Sequence, residues 1–259
     1  MHILFFTENY PPESNAAATR VHERARLWVR DGHDVTVITC APNFPQGRVH
    51  EGYRNRLRQV DEIEGVRVVR MWSFMAKNEG IGLRILDFLS FMVSGFLGAL
   101  FERRPDLITS TSPQFFAAVG AWACAVVRRR PYVFELGDLW PASITALGAM
   151  KRSWLMDRME KLELFLYRRS AAVIALTQDF KRDLTSRGID PDKIDVIRNG
   201  VDLDLYGPRP RDPDLAAEWG LEDKFVLAYI GTHGLAHALE SVLMPHGRQL
   251  VRARHLRLL

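Results

Sequence analysis

Residues 225–234 join an apolar run to a glycine-rich turn, a pattern that can bind an anion. Phe225 to Ile230 is rich in β-branched and aromatic residues, and Gly231-Thr232-His233-Gly234 follows directly. Such a pattern is typical of a buried parallel strand that enters a tight turn ahead of a helix. A turn of this kind places backbone N–H groups at the carboxyl edge of a sheet, where they can bind an anion such as a diphosphate.

The first elements of the chain predict the scaffold to which such a turn belongs. His2 to Thr7 is typical of a strand, Ala18 to Arg30 has helical apolar spacing, and Val35 to Cys40 is typical of the next strand. Strand, helix and strand in this order form a right-handed parallel unit, so we expect a doubly wound α/β sheet. The loop from Glu8 to Ala17 contains no glycine. This absence disfavours a dinucleotide fingerprint and therefore a nicotinamide dehydrogenase.

Later segments repeat this alternation and predict where the first domain ends. Strand patterns at 106–111, 132–136, 171–177 and 194–198 are separated by helical patterns at 115–128, 151–169 and from 178, and two short strand patterns lie within 60–72. The strand pattern at 132–136 delivers Asp138 to the carboxyl edge of the sheet. Tyr206 to Pro213 is a proline-rich connector. We predict a complete parallel-sheet domain over residues 1–205, a linker over 206–223 and the start of a second such domain over 224–259.

Composition sets broad limits on the partners of the chain. It has 259 residues, a formal net charge of +4 and a pI near 9.2. This mild basicity suits a membrane surface, nucleic acid or a phosphorylated ligand without choosing among them. Cys40 and Cys124 have no metal-ligand spacing, and we expect both to be small buried hydrophobes in a reducing compartment. The N-terminal residues show no secretion signal.

Two helical segments raise the question of a membrane surface. Ile81 to Phe101 is apolar apart from Arg84 and Asp87, but its uncharged core is shorter than the roughly 20 residues of a spanning helix. The segment is either a helix buried against the sheet or one that also dips into a bilayer surface. Lys151 to Arg169 is basic and amphipathic, which suits a surface helix and equally an anionic membrane face.

Several motifs in order give the chain a resemblance to a known family. They are an N-terminal strand and loop, Arg20, the segments Gly32 to Thr39, Asp138 to Pro141 and Ile197 to Asp202, and Tyr229 to Gly234. Together they resemble a family 4 glycosyltransferase of the bacterial branch that builds capsule, O-antigen and colanic-acid-type polysaccharides. The resemblance implies a GT-B fold, in which an acceptor-side Rossmann-like domain faces a similar domain that binds a nucleotide-sugar.

The resemblance also implies roles for individual residues. Asn15 and Ala16 stand where the family usually carries paired glycines that approach the donor diphosphate, and Arg20 is a candidate phosphate contact. Asp138 matches a polar position that reaches the reacting sugar, and it is therefore the candidate catalytic residue. The turn Gly231-Thr232-His233-Gly234 matches the one under the donor phosphates, where N–H groups stabilise the leaving diphosphate. Plain structural uses remain open for these residues: a solvated helix face for Arg20, a capped turn for Asp138 and an ordinary turn for His233 and Gly234.

The family transfers sugar with retention of configuration and without a divalent metal. We therefore expect no metal site and no cofactor, with a nucleotide-sugar as substrate and a lipid-linked saccharide as acceptor. Asp202-Leu203-Asp204 mimics a metal-binding triplet but follows a turn in a connector. The implied location is cytoplasmic, peripheral on the inner face of the cell membrane, with no nucleic acid partner.

The last residues depart from the family. From about residue 241 the chain has four arginines, no acidic residue and no strand pattern: Arg248, Arg252, Arg254 and Arg257. We therefore expect a truncated donor-binding domain and a chain that does not transfer sugar by itself. Two alternatives are a non-catalytic, membrane-associated acceptor-binding subunit that needs a separate donor-binding partner, and a basic nucleic-acid binder, for which no recognition motif is found.

Overall fold

The computed structural model describes residues 1–75, 81–139, 154–203, 206–226 and 229. These residues belong to two units, and each unit is described by itself. The first contains the described residues up to Asn199, and the second contains those from Gly200 onward. The candidate site residues that lie within the described ranges all belong to the first unit.

An eight-stranded sheet is the centre of the first unit. The strands are β1 His2–Phe6, β2 Asp34–Cys40, β3 Arg58–Ile63, β4 Val66–Met71, β5 Leu107–Thr111, β6 Tyr132–Leu136, β7 Ala172–Ala175 and β8 Ile194–Val196. Their order is β3-β4-β2-β1-β5-β6-β7-β8. All neighbouring strands are parallel except β3 and β4, which form an antiparallel pair at one edge. The doubly wound α/β sheet predicted from the sequence is therefore confirmed, with an antiparallel edge strand in addition.

Helices follow most strands and end near the predicted residues. They are α1 Ala16–Arg30, α2 Ile81–Leu100, α3 Phe115–Arg128, α4 Trp154–Arg169 and α5 Gln178–Ser186 in the first unit, and α6 Pro213–Glu218 in the second. Asn15 caps α1 because its side-chain Oδ1 accepts a hydrogen bond from the Ala18 N–H at 2.9 Å. The cap starts α1 two residues earlier than the apolar spacing predicts.

Two apolar clusters cover the two faces of the sheet. Leu4 and Phe6 of β1 belong to a cluster that also contains residues of α2, α3 and α4. Phe5 points to the other face, where it packs with residues of α1, β2 and β4. All five residues of β1 are buried. This explains the unbroken apolar runs of the central strands, because a parallel strand covered on both faces has no solvent-facing position.

Helix α2 is buried along one face only. Phe91, Gly95 and Ala99 lie in the core, whereas Leu86, Val93 and Leu97 are exposed. Within the described residues α2 is the one helix long and apolar enough to cross a membrane by length and composition, although 22% of its apolar window is buried. Helix α2 therefore packs on the sheet and still presents an apolar face. Core helices of soluble proteins can be equally long and apolar.

The buried strand predicted at 225–230 is wrong for the residues that the structure describes. Phe225 is 95% exposed, and Val226 and Tyr229 are also exposed and assigned to no strand. An apolar run is buried only where other strands and helices cover it, and no described residue covers Phe225. Residues 227, 228 and 230–259, which include the predicted basic tail, lie outside the described residues.

Candidate active site at the carboxyl edge of the sheet

The order of the strands predicts where a ligand site should lie. From β1 the sheet grows through β2 on one side and through β5 on the other, so the loops after β1 and β5 separate at this point. The two loops are tied together by Gln114, whose Oε1 accepts a hydrogen bond from the Glu8 N–H at 2.7 Å. The Gln114 Nε2 also donates to Asn9 Oδ1 at 3.0 Å. The Gln114 side chain thus fixes the loops after β1 and β5 on the two sides of the crevice where they separate.

Glu13 connects the loop after β1 to the loop after β2. Its side chain is buried, and Oε1 accepts hydrogen bonds from the N–H groups of Asn43 at 2.7 Å and Phe44 at 2.9 Å. Oε2 accepts from Asn9 Nδ2 at 2.8 Å. A carboxylate with three donors is well compensated for its burial. Glu13 therefore shapes the first loop and has little capacity left for a substrate.

A cleft opens beside the N-terminus of α1. Its volume is about 680 Å³, and its lining residues are Ser14, Asn15, Phe44, Pro45, Gln46, Arg48, Val49, His50 and Glu51. Ala16, the first residue of α1, is exposed at this end. The positive end of the helix dipole lies here, which favours a negatively charged group. Asn15 and Ala16 thus lie where the sequence predicts an anion contact, with the Asn15 oxygen occupied by the cap.

Arg20 lies one turn into α1 and reaches across to the loops after β5 and β6. Its Nη2 donates to Thr111 Oγ1 at 2.7 Å and to the Ser112 carbonyl at 3.4 Å. A Cβ atom at Gly137 would lie 2.8 Å from Nη1, so the glycine makes room for the guanidinium group. Burial lowers the pKa of Arg20, and Nε is buried without a partner among the described residues. Among the described residues, Thr111 and Ser112 accept from Nη2 alone, so other N–H groups of this side chain have no acceptor there.

Asp138 follows β6 and is held by its backbone. Ser112 Oγ accepts hydrogen bonds from the N–H groups of Gly137 at 2.8 Å and Asp138 at 3.0 Å, and donates to the Asp138 carbonyl at 3.2 Å. The Asp138 residue itself is half-buried. Ser112 thereby connects Arg20 and Asp138, since its carbonyl accepts from one and its hydroxyl group positions the other. Two of the predicted site residues thus meet at one edge of the sheet.

Glu8 is a titratable residue of this edge that the sequence analysis did not select. Its Oε1 is buried and has no hydrogen-bond partner among the described residues. Desolvation is the largest cause that raises the pKa of the carboxyl group; together with the negative charges of Asp87 and Glu13, and against the charge of Arg84, it brings the pKa to about 8. The polar residues Thr111, Ser112 and Gln114 were also missed. Their signal is a polar run directly after a buried strand, as for Asp138.

The predicted donor turn belongs to the last part of the chain. Gly231, His233 and Gly234 lie outside the described residues, so their roles stay predictions. Among the described residues no group of three or more His, Cys, Asp or Glu side chains has an arrangement suited to a metal ion.

Comparison with known proteins gives this edge a context. The family described as "Glycosyl transferase 4-like domain" matches residues 15–200, more than half of the chain and nearly all of its first unit. A putative colanic acid biosynthesis glycosyl transferase of Escherichia coli K12, WcaI, is 31% identical over 150 residues. That match covers 57% of this chain and 37% of the relative. The chain thus spans little more than a third of the length of this relative.

Solved structures share the fold at low identity. Sucrose-phosphate synthase from Thermosynechococcus elongatus superposes with a TM-score of 0.59 at 14% identity, over 85% of this chain and 53% of that protein. The Anabaena protein Alr3699/HepE, in complex with UDP-glucose, has a TM-score of 0.54 at 16% identity, over 97% of this chain and 66% of the other. The fold class is that of GT-B glycosyltransferases, as predicted.

Proposed function

This chain belongs to the glycosyl transferase 4-like family, and on that premise we propose that it forms the acceptor-side part of a retaining glycosyltransferase. The whole enzyme transfers a sugar from a nucleotide-sugar to a lipid-linked saccharide during synthesis of a cell-surface polysaccharide. The colanic acid assignment of the Escherichia coli relative supports the pathway class. The UDP-glucose complex of the Anabaena protein supports a nucleotide-sugar donor.

The meeting of the α1 N-terminus, Arg20 and the Asp138 loop at one edge is the observation that carries the proposal. Transfer from a nucleotide-sugar leaves a diphosphate whose negative charge grows in the transition state. A fixed guanidinium group and a helix N-terminus stabilise such charge without reorganisation. Arg20 has this character because Thr111 and Ser112 hold its Nη2 group in place.

The cleft beside Asn15 is the proposed place of the acceptor sugar. Its volume of about 680 Å³ is within the usual range of small-molecule sites. His50 and Gln46 supply hydrogen-bonding groups, and Phe44 and Pro45 supply apolar surface. Sugars need both, since their hydroxyl groups must be paired while their C–H faces lie on apolar side chains. We place the sugar of a lipid-linked saccharide here, next to the donor diphosphate.

The lipid part of the acceptor requires the enzyme to work at a membrane. We assign this contact to the exposed apolar face of α2, formed by Leu83, Leu86, Val93 and Leu97. Burial of such a face at a bilayer surface is favourable in proportion to its apolar area. The proposed location is accordingly the inner face of the cytoplasmic membrane, without stable insertion.

Binding of the acceptor tests the cleft directly. The chain is titrated in detergent micelles with a saccharide-bearing lipid and with the same lipid without its sugar. We expect saturable binding of the first alone, weakened about 30-fold by His50→Ala together with Gln46→Ala, since two lost hydrogen bonds contribute about 1 kcal/mol each. Arg182→Ala, on the exposed face of α5, serves as the matched control. Equal binding of both lipids would contradict an acceptor site.

Transfer of sugar tests the enzymatic part. Labelled nucleotide-sugar is incubated with lipid extract and with the protein in its full length, and label in the lipid phase is counted. Arg20→Ala should lower transfer about 100-fold, as expected for loss of a group that stabilises developing charge. The anomeric configuration of the product is read by NMR. Inversion would refute the retaining assignment, and unchanged transfer by Arg20→Ala would refute the role of Arg20.

A second candidate is a non-catalytic acceptor-binding subunit that needs a separate donor-binding partner. The exposed face of α2 favours it, because that face suits membrane attachment whether or not the chain binds a donor. Equilibrium dialysis of the chain with a labelled nucleotide-sugar separates the two candidates. Tight donor binding by the chain alone would exclude the subunit.

A further inference from the structure

A second cavity opens at the amino edge of the sheet, away from the loops that form the candidate active site. Its volume is about 460 Å³, and it lies where β6 and β7 begin and where α3 and α4 end. Five cationic side chains and no carboxylate belong to its lining; they are Arg129, Arg130, Arg168, Arg169 and Lys193. We call this set the basic cavity.

The cations of the basic cavity have no carboxylate partner among the described residues, although the Arg169 guanidinium group lies 5.6 Å from the centre of the Phe165 ring. Arg24 pairs with Glu135, Arg70 with Asp61, and Arg187 with three carboxylates. Within the described part of the chain, none of the five cavity cations makes an ion pair. The carboxylate of Asp106 lies outside the cavity lining. Its pKa is lowered mainly by the hydrogen bond that it accepts from the His2 N–H, and the charge of Arg130 lowers that pKa further. Five like charges around one small space repel each other unless an anion joins them.

The helix ends explain only part of this charge. The carbonyl groups at the C-terminus of a helix attract cations, and Lys193 Nζ indeed donates to the Arg168 carbonyl at 2.8 Å. Other carbonyl groups at these helix ends already accept hydrogen bonds from backbone N–H groups. The Ala125 carbonyl, for example, accepts one from the Arg130 N–H at 2.9 Å. Arg130 Nε is buried without a partner among the described residues. Among the described residues, no protein acceptor pairs with a guanidinium N–H group of the four cavity arginines, so the accessible N–H groups can donate to a ligand.

We propose that the basic cavity is a phosphate-binding site, separate from the diphosphate chemistry of the candidate active site. Guanidinium groups bind phosphate oxygens through paired N–H donors, and four arginines line this one cavity. The surroundings suit either a soluble diphosphate or a lipid headgroup. Trp122 belongs to the lining, and Val126 is exposed at its rim. Phe101 is 81% exposed, next to the carbonyls of Leu100 and Glu102 that accept from Arg128 at the end of α3.

Charge reversal at two exposed positions tests the site without disturbing the core. Arg129→Glu combined with Arg168→Glu is compared with Arg54→Glu combined with Arg56→Glu, because all four side chains are exposed and both pairs change the net charge equally. Each protein is titrated calorimetrically with pyrophosphate, and its thermal unfolding is recorded. We expect the first pair to weaken one class of pyrophosphate binding by at least about 10-fold. The second pair and Arg20→Ala should leave that class in place.

Vesicles distinguish the two sources of the phosphate group. The same proteins are sedimented with vesicles of phosphatidylcholine alone and with vesicles containing phosphatidylglycerol. Binding of phosphatidylglycerol vesicles that the Arg129 and Arg168 substitutions abolish identifies a lipid headgroup. Loss of pyrophosphate binding without any change in sedimentation identifies a soluble ligand.

Three results would overturn the proposal. Equal losses in the two charge-reversed pairs would mean that only the net charge matters. Absence of both pyrophosphate and vesicle binding in the unsubstituted chain would mean that the cavity holds no phosphate. A DNA duplex that binds more tightly than either probe, with a steep salt dependence removed by the first pair, would make the cavity a nucleic-acid contact instead.

Discussion

The two edges of the sheet are built from the same helices and strands but differ in the sign of their charged side chains. At the carboxyl edge, Glu8 and Glu13 lie in the loop before the N-terminus of α1, and Arg20 is held by neighbouring loops. At the amino edge, the basic cavity collects cations at the C-termini of α3 and α4. Because the helices of a parallel sheet run in one direction, their positive ends meet at one edge and their negative ends at the other.

The edges also differ in how their charges are satisfied. Glu13 accepts three hydrogen bonds and is buried, so its charge is compensated within the chain. The cations of the basic cavity make no ion pairs among the described residues. Internal pairing makes a group important for stability, whereas unpaired charge leaves it available for a ligand. Substitutions at the two edges should therefore separate loss of stability from loss of binding.

The largest expected effect is on the loop that Glu13 holds. Glu13→Ala leaves the N–H groups of Asn43 and Phe44 without their acceptor in a buried place. We expect the free energy of unfolding to fall by about 3 kcal/mol, measured by urea denaturation. Glu62→Ala, on the exposed side of β3, should change it by less than about 0.5 kcal/mol. Similar losses in both variants would show that Glu13 does not hold the loop.

Glu8 should make the stability of the carboxyl edge depend on pH. Desolvation first, then Asp87 and Glu13, raise the folded-state pKa to about 8, above the ordinary value of 4.5, with Arg84 opposing. The folded state thus binds more protons between those values, and stability falls as pH rises through that window. Glu8→Gln should nearly match the unsubstituted chain near pH 4.5 and exceed it by about 2 kcal/mol at pH 6. A difference that does not vary with pH would contradict a raised pKa.

Ser112 should have a smaller effect, because three hydrogen bonds of ordinary strength depend on it. Ser112→Ala removes the acceptor of the Gly137 and Asp138 N–H groups. We expect about 1.5 kcal/mol of destabilisation, together with faster amide hydrogen exchange at those two residues. Ser186→Ala, at the exposed end of α5, is the control. Unchanged exchange at Gly137 and Asp138 would show that Ser112 does not position the loop.

The smallest effect on stability is expected at the amino edge, and its sign should be reversed. Arg129→Glu replaces one of five like charges by a carboxylate. Relief of their repulsion should exceed the lost attraction of a cation to the C-terminus of α3 and stabilise the chain by about 0.5 kcal/mol at low salt. The gain should vanish in 1 M salt, where the Debye length is about 3 Å. Clear destabilisation at low salt would mean that Arg129 has a structural partner, and the contrast between the edges would then fail.

The elements of the first unit were predictable from the sequence because burial leaves a local pattern. The run Tyr132 to Leu136 is apolar apart from one glutamate, and it forms β6 with the predicted ends. Helix α3 also begins and ends at the predicted residues. The antiparallel direction of β3 was not predicted, since alternating patterns do not encode which way a neighbouring strand runs. At Phe225, Val226 and Tyr229, the described part of the last apolar run, the pattern failed as a predictor of burial because nothing described covers Phe225.

The candidate site was predictable only in outline. Asp138 and Arg20 were selected from motifs, and the sheet brings both to one edge through Ser112. Glu8 and Gln114 carry no recognisable motif. Glu8 matters because its carboxyl group loses its hydration on burial, and Gln114 matters because it accepts a hydrogen bond from the Glu8 N–H, 106 positions earlier in the chain.

The sequence by itself determined the alternation of strands and helices, the doubly wound class and the membership of the family, because each rests on patterns within short segments. Tertiary structure alone decided that Glu13 pairs with Asn43 and Phe44, and that cations from positions 129–130, 168–169 and 193 surround one cavity. Periodicity reports whether a residue is buried. Which partner it meets depends on strand order and helix direction, and these exist only once the sheet has formed.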